Sequence, residues 1–247
     1  LYEFLSTFVN YFSRNLDKLI IGRYFSLNEL GYYEKSYRLM MLPLEYVTRV
    51  VEPVMHPVLA KFQNDNSYLN EKYNQIIKLI ANISFPLGAL LYVSAHDIIH
   101  FFYGGKWDAA VPVFEILSIS IPFQMILSTI GGIYKSTGQV KWKFIGGNLN
   151  TLITVVGFVI AAIYFKTIES IAWAWVITLT INFVNSYAIL YIFCLKQSPL
   201  GMVKELVVPF CCMLIVFVTL HSMHEFTQPL PVFFSLATSV CITFIET

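Results

Sequence analysis

Residues 39–60 form an apolar segment long enough to cross a bilayer, yet this segment carries the titratable side chains of Glu45, Arg49, Glu52 and His56. At about 100° per helical residue, these four positions fall within about 60° of one another and form a polar stripe. Arg38 extends the stripe to about 27 Å, close to the hydrocarbon thickness of about 30 Å. A charge at the bilayer centre costs about 2.5–3.5 kcal/mol on insertion scales. The stripe must therefore face a water-filled cavity or another helix instead of lipid.

Composition agrees with a membrane protein. Of the residues, 57% are hydrophobic and 13% are charged, and the mean hydropathy is +0.65. A soluble domain has about 25% charged residues. The net charge of +1 gives no reason to expect a nucleic-acid partner.

Apolar windows of about 20 residues predict an all-α, polytopic membrane helical bundle with about eight crossings. The windows lie at residues 4–24, 39–60, 76–96, 110–134, 144–165, 171–194, 203–222 and 229–245. Because the connections between windows are short, we treat residues 1–247 as one membrane domain. Lys and Arg residues are more frequent after the second, fourth and sixth windows than after the others. The positive-inside rule then predicts that the Leu1 end is cytoplasmic.

The first window is also charged near its middle. Arg14 and Lys18 share a helical face, and Asp17 borders it. One interpretation is a structural ion pair between Arg14 and Asp17. The other is an anion-attracting cavity that these bases form together with Arg49 of the next window. We favour the cavity, with Asp17, Glu45, Glu52, His56 and Glu115 as candidate cavity or coupling groups.

Three prolines interrupt the striped segment: Pro43, Pro53 and Pro57. Each removes a backbone donor and favours a bend. Bent helices in membranes are tolerated where they line a cavity, and transporters use them as hinges. We therefore predict hinge positions at these prolines.

Two further features resemble reactive or metal sites. His96 and His100 have the spacing of a metal-binding helix, but the Glu of an H-E-x-x-H motif is missing. We therefore expect no metal there, and no cofactor elsewhere. Glu115, inside the fourth window, is either a buried protonated acid or a titrating coupling group, and the sequence leaves both open.

Several short segments resemble a known family in their order and spacing. They are NLDKLIIG at 15–22, LGYY at 30–33, YRL at 37–39, PVLAKFQ at 57–63, FYGGKW at 102–107, AVP at 110–112 and ILS at 116–118. Together with Pro43, the first three resemble the seventh and eighth helices of bacterial polysaccharide flippases of the O-antigen and exopolysaccharide type. Those from 102 onward resemble the segment between helices nine and ten of the same flippases. These proteins belong to the multidrug/oligosaccharidyl-lipid/polysaccharide exporter superfamily.

The resemblance implies a transporter, not an enzyme, with two helical lobes and alternating access. Its cargo would be an undecaprenyl-diphosphate-linked oligosaccharide repeat unit, moved across the bacterial cytoplasmic (inner) membrane. Arg14, Lys18 and Arg49 would line a basic cavity that binds the diphosphate. The expected partners are this lipid-linked oligosaccharide, membrane lipids, an N-terminal lobe missing from this chain, and a polysaccharide polymerase and glycosyltransferases. The chain would be the C-terminal lobe, unable to flip lipid alone.

Three alternatives remain open. An ion-coupled drug or metabolite exporter of the same superfamily would have a cavity dominated by acids and aromatics. A membrane-embedded polysaccharide polymerase or acyltransferase would carry catalytic residues on sizeable loops. A membrane scaffold would use the stripe only for helix pairing.

Overall fold

The computed structural model describes residues 15–60 and 66–227, and these residues form helices and connections without a strand. The helices are α1 (Leu16–Tyr24), α2 (Leu27–Ala60), α3 (Asn66–Val93), α4 (Ala95–Tyr103), α5 (Val111–Ser118), α6 (Ile121–Leu127), α7 (Ile130–Ser136), α8 (Val140–Tyr164), α9 (Ile168–Ile189) and α10 (Leu200–Thr227). A 3₁₀ helix (Gly105–Ala110) precedes α5, and a π-helical stretch (Leu190–Leu195) extends α9. The predicted all-α class is confirmed.

Several helices are long and apolar enough to cross a membrane. Four pass this test in the described part of the chain: Asn66–Val93, Lys141–Tyr164, Ile168–Leu195 and Leu200–Ser222. Gly105–Ser118 and Ile121–Tyr134 pass only as a pair, bent by 51° at a short break. We call this pair the bent span. The window at 229–245 and residues 4–14 of the first window lie outside the described residues.

The direction of α10 decides whether the bent span crosses the membrane. Lys78 of α3 pairs with Glu205 of α10 at 2.8 Å, and further along both helices the Tyr92 ring lies 5.8 Å from the Phe217 ring. α3 and α10 therefore run parallel, which requires an odd number of crossings between them. Because α8 and α9 provide two, the bent span is a third crossing and not a re-entrant loop.

The striped helix α2 runs alongside the bent span. Near its start, the Ser36 hydroxyl donates to the carbonyl of Ala110 at 2.8 Å. Further on, the Gln124 amide donates to the Met40 sulfur at 3.2 Å. α2 has 34 residues and a length of about 50 Å, enough to cross a bilayer. Its helical conformation continues without a break through Pro43, Pro53 and Pro57, so a hinge at these positions stays a prediction.

Buried hydroxyl groups join three of the crossings at one point. The Tyr73 hydroxyl of α3 lies 2.9 Å from Thr129 Oγ1 and 3.2 Å from the Tyr187 hydroxyl of α9. Tyr187 also donates to the carbonyl of Ile126 at 3.0 Å. We call Tyr73, Thr129 and Tyr187 the tyrosine cluster. Since all three side chains are buried and hydrogen-bonded, the cluster fixes α3, α9 and the bent span against one another.

α8 and α9 form an antiparallel pair held by amide and hydroxyl groups. Asn150 donates to Ser186 at 2.7 Å, and Asn182 donates to Thr154 at 2.9 Å. Further along, Gly157 of α8 packs directly against Thr178 of α9, where an added Cβ would overlap the Thr178 methyl group. Small residues and interhelical hydrogen bonds are the usual means of close helix packing in membranes.

Candidate functional site: a charged groove along α2

A groove of about 620 Å³ lies along the first half of α2 where α1 packs beside it. Its charged lining residues are Lys18, Glu34, Lys35, Arg38 and Glu45. We call this the charged groove. The groove brings three cations and two carboxylates together on one side of the bundle.

The sequence of α2 explains why these side chains share one side. Glu34, Arg38 and Glu45 recur at intervals of four and seven residues, which places them on one helical face. The opposite face carries buried side chains such as Tyr33 and Met40 that pack into the core. α2 is therefore amphipathic along its first half, with its polar face turned away from the core.

Asp17 is one predicted cavity residue that lies in a different place. Its side chain is wholly buried. One carboxylate oxygen accepts the Tyr33 hydroxyl at 2.9 Å, and the other accepts the backbone N–H of Lys18 at 2.8 Å. Asp17 thus joins α1 to α2 beneath the groove instead of lining it. The physical reason is that a buried carboxylate needs close donors, which the core face of α2 supplies.

Lys18, the next residue, reaches the groove and finds partners on α2. Its ammonium nitrogen lies 3.5 Å from Glu34 Oε1 and 5.0 Å from the centre of the Tyr37 ring. Lys18 has no acid three or four residues away along the chain; Glu34 of the neighbouring helix is its ion-pair partner. Lys35 lies over two aromatic rings, 4.9 Å from the centre of Tyr103.

Arg38 and Arg49 differ in how their charges are matched. Arg49 pairs with Glu45 one turn away at 3.7 Å, and its side chain is 76% exposed. Arg38 is exposed and lines the groove, and within residues 15–60 and 66–227 it forms no ion pair. Arg38 is therefore the guanidinium that the charged groove offers to an incoming anion.

The remaining predicted site residues are distributed as follows. Arg14 lies outside the described residues, as do the side chains of Glu52 and His56, whose backbone belongs to α2. Glu115 is half-buried on α5 and is not among the groove residues. Glu34 and Lys35 also line the groove and are not among the residues predicted from the sequence. The signal was present, because the phase of the stripe continues back from Arg38 to Glu34 before the apolar window begins.

The arrangement suits binding of a polyanion. A guanidinium offers a fork of N–H donors that matches phosphate oxygens, whereas an ammonium acts as a compact point charge. Glu34 pairs with Lys18, and Glu45 pairs with Arg49 beside the groove. Among the described residues, Lys35 and Arg38 then remain as groove cations without a carboxylate partner.

The chain is similar in sequence to proteins of polysaccharide biosynthesis. Residues 1–112, which include the charged groove, match the family described as "Polysaccharide biosynthesis protein". The chain is 26% identical over 198 residues to the teichuronic acid biosynthesis protein TuaB of Bacillus subtilis (strain 168), covering 80% of this chain and 41% of the relative. It is 24% identical over 136 residues to the lipopolysaccharide biosynthesis protein WzxC of Escherichia coli (strain K12), covering 55% of this chain and 28% of the relative.

A solved structure shares the fold. The lipid II flippase MurJ, in its inward closed conformation, superposes with a TM-score of 0.78 at 20% identity. The match covers 98% of this chain and 51% of that one. The chain thus spans about half the length of MurJ and less than half of the curated relatives it matches. Together, the family match, the relatives and the fold confirm the resemblance to the polysaccharide flippases of the multidrug/oligosaccharidyl-lipid/polysaccharide exporter superfamily.

Proposed function

We propose that the protein containing this chain is a transporter that moves undecaprenyl-diphosphate-linked oligosaccharide repeat units across the bacterial cytoplasmic membrane. The observation that carries the proposal is the charged groove on a helix long enough to cross the bilayer, with Arg38 exposed in it. The names of two relatives refer to biosynthesis of teichuronic acid and lipopolysaccharide, and MurJ is named a lipid II flippase. These names support a transporter of lipid-linked saccharides rather than an enzyme.

The diphosphate is the part of such a cargo that the groove suits best. Arg38 would bind phosphate oxygens directly, and the cargo would compete with Glu34 for Lys18. Arg49 would exchange Glu45 for phosphate in the same way. Each exchange replaces one ion pair with another, so the cations stay neutralised during binding.

A second lobe would complete the transport path. The polar face of α2 points away from the core of this chain, and the curated relatives are longer. We infer that an N-terminal lobe faces this stripe and that the two lobes rock about the cargo, as in alternating access. Without that lobe, the chain would not move lipid.

The first helices alternate in direction, as successive membrane crossings must. α1 is antiparallel to α2, since Lys18 pairs with Glu34 whereas Gly22 lies beside Leu30. α2 is parallel to the bent span, and α3 is antiparallel to both. The bias in Lys and Arg then supports placing the Leu1 end in the cytoplasm. A polysaccharide polymerase and glycosyltransferases are the expected functional partners.

The test is transport by the gene product that contains this chain, with and without Arg38→Ala. Loss of a hydrogen-bonded guanidinium corresponds to about 1.5–3 kcal/mol, or about 10–150-fold in export. We expect lipid-linked repeat units to accumulate inside the cell and surface polysaccharide to fall. Arg23→Ala, at the exposed end of α1 outside the groove, is the matched control.

Two outcomes would contradict the proposal. One is unchanged export of repeat units by the Arg38→Ala variant. The other is that deleting the protein abolishes efflux of cationic dyes but leaves repeat-unit export unchanged. That result would favour the ion-coupled drug exporter.

A further inference from the structure

His96, His100 and Asp108 lie together at one end of α4. The two histidines are one turn apart on α4, and Asp108 comes from the 3₁₀ helix that follows. One potential ligand atom from each side chain lies within 4.8 Å of the others. We propose that these three residues bind one Zn²⁺ ion.

The spacing lies within reach of zinc coordination. Zinc bonds of about 2.0–2.2 Å in tetrahedral geometry require ligand atoms about 3.3–3.5 Å apart. The side chains are 56%, 44% and 52% exposed for His96, His100 and Asp108. Because all three are exposed, small side-chain rotations can close the remaining distance without movement of the backbone. The imidazole rings are already stacked, with centres 5.8 Å apart and planes 19° from parallel.

A buried carboxylate orients the first histidine. Asp97 is 7% exposed, and its Oδ1 atom lies 3.4 Å from His96 Nδ1. When Nδ1–H donates to Asp97, the Nε2 atom of His96 is the free ligand. Zinc-binding histidines commonly have such a carboxylate partner, which fixes the tautomer and the direction of the ring.

The turn that carries Asp108 is held in place by aromatic packing. The Trp107 ring lies 6.0 Å from Tyr103 and 5.8 Å from Tyr32 of α2. Gly105 leaves room for the His100 ring, since a Cβ at this position would lie 3.2 Å from His100 Cε1. Asp108 therefore sits beside His100, with its Oδ1 atom 3.6 Å from His100 Nδ1, on a supported turn.

The ligand set selects the class of metal. Two imidazoles and one carboxylate leave a fourth position for water, an arrangement common for zinc. Calcium and magnesium prefer all-oxygen ligands. From sequence spacing alone a metal is not expected, because no Glu of an H-E-x-x-H motif accompanies the histidines. The third ligand comes instead from Asp108, eight residues after His100. The site is separate from the charged groove and does not depend on the proposed transport function.

The test is a Zn²⁺ titration of the metal-free protein in detergent against a chromophoric chelator. We expect one zinc ion per chain, and a loss of affinity of about tenfold or more for His100→Ala and for Asp108→Ala. His221→Ala is the matched control, since His221 is an exposed histidine on α10 outside the cluster. Equal affinity in all variants would overturn the proposal, as would the absence of binding to the unmodified protein.

A second measurement does not depend on the variants. X-ray absorption at the zinc edge of the loaded, unmodified protein should show two imidazoles and oxygen ligands. A shell of sulfur or of oxygen alone would overturn the assignment of these residues.

Discussion

The tyrosine cluster and the charged groove are both polar, but their partners differ. In the tyrosine cluster, Tyr73, Thr129 and Tyr187 hydrogen-bond to one another in a buried site. In the charged groove, Lys18 pairs with Glu34, whereas Arg38 is exposed without an ion pair among the described residues.

This difference separates a structural role from a binding role. A buried polar group is stable only when its hydrogen bonds are made within the protein, so the cluster has no capacity left for a ligand. A groove that retains a free guanidinium can bind an anion with little rearrangement. The comparison therefore predicts that substitutions in the groove alter transport, whereas substitutions in the packed interior alter stability.

The largest expected effect is on transport, and it comes from the groove. Arg38→Ala should lower export by about 10–150-fold and Arg49→Ala by less, because Arg49 already pairs with Glu45 at 3.7 Å. Arg38→Lys should retain part of the activity, since it keeps the charge but loses the fork of donors. Export of labelled repeat units measures all three. A larger loss of export for Arg49→Ala than for Arg38→Ala would contradict the prediction that Arg38 contributes more to binding.

The next effect is on stability, at the α8–α9 contact. Gly157→Leu should destabilise the protein by about 1–3 kcal/mol because the new side chain collides with Thr178. Gly147→Leu on the same helix is the control, since a Cβ there meets no atom within 4 Å. Thermal unfolding in detergent measures the difference. Equal melting temperatures for the two variants would show that the helices do not pack this closely.

A smaller effect is expected in the tyrosine cluster. Tyr73→Phe removes one hydroxyl and should cost about 1 kcal/mol, with repeat-unit export per folded molecule unchanged. Tyr164→Phe is the control, because Tyr164 is 76% exposed. If Tyr73→Phe lowers export without lowering the melting temperature, the cluster has a transport role and the comparison fails.

The smallest effect is pH-dependent and lies at the start of α2, before its apolar window. Ser26 and Glu29 form a capping box, in which the Ser26 hydroxyl and backbone N–H donate to Glu29 Oε2 at 2.7 and 2.8 Å. These hydrogen bonds lower the pKa of Glu29 from its ordinary value of 4.5. Its contribution to stability is therefore present above that value and is lost as pH falls through the lowered pKa.

The contribution of the capping box is measured as a difference in the free energy of unfolding between variants. Glu29→Gln should be less stable than the unmodified protein at neutral pH, by less than about 1 kcal/mol, and this gap should close in acid. Ser26→Ala should remove most of the pH dependence of the gap. A gap that widens as pH falls would have the wrong sign for this account.

Much of the fold could be predicted from the sequence, because bilayer thickness dictates the length of an apolar window. The order of the windows also predicts alternating helix directions, with which the contact between Lys78 and Glu205 agrees. The 51° bend in the fourth window could not be predicted. In the site, the stripe on α2 followed from helical periodicity. The placement of Asp17 did not, because its partner Tyr33 lies on another helix and no local pattern signals that bond.

The most direct test of diphosphate binding in the charged groove uses native mass spectrometry. It measures how tightly a polyprenyl-diphosphate-linked sugar binds to the purified protein. We expect Arg38→Ala to weaken binding about tenfold or more and Arg23→Ala to leave it unchanged. Equal binding by the Arg38→Ala variant and the unmodified protein would contradict the claim that the charged groove holds the diphosphate.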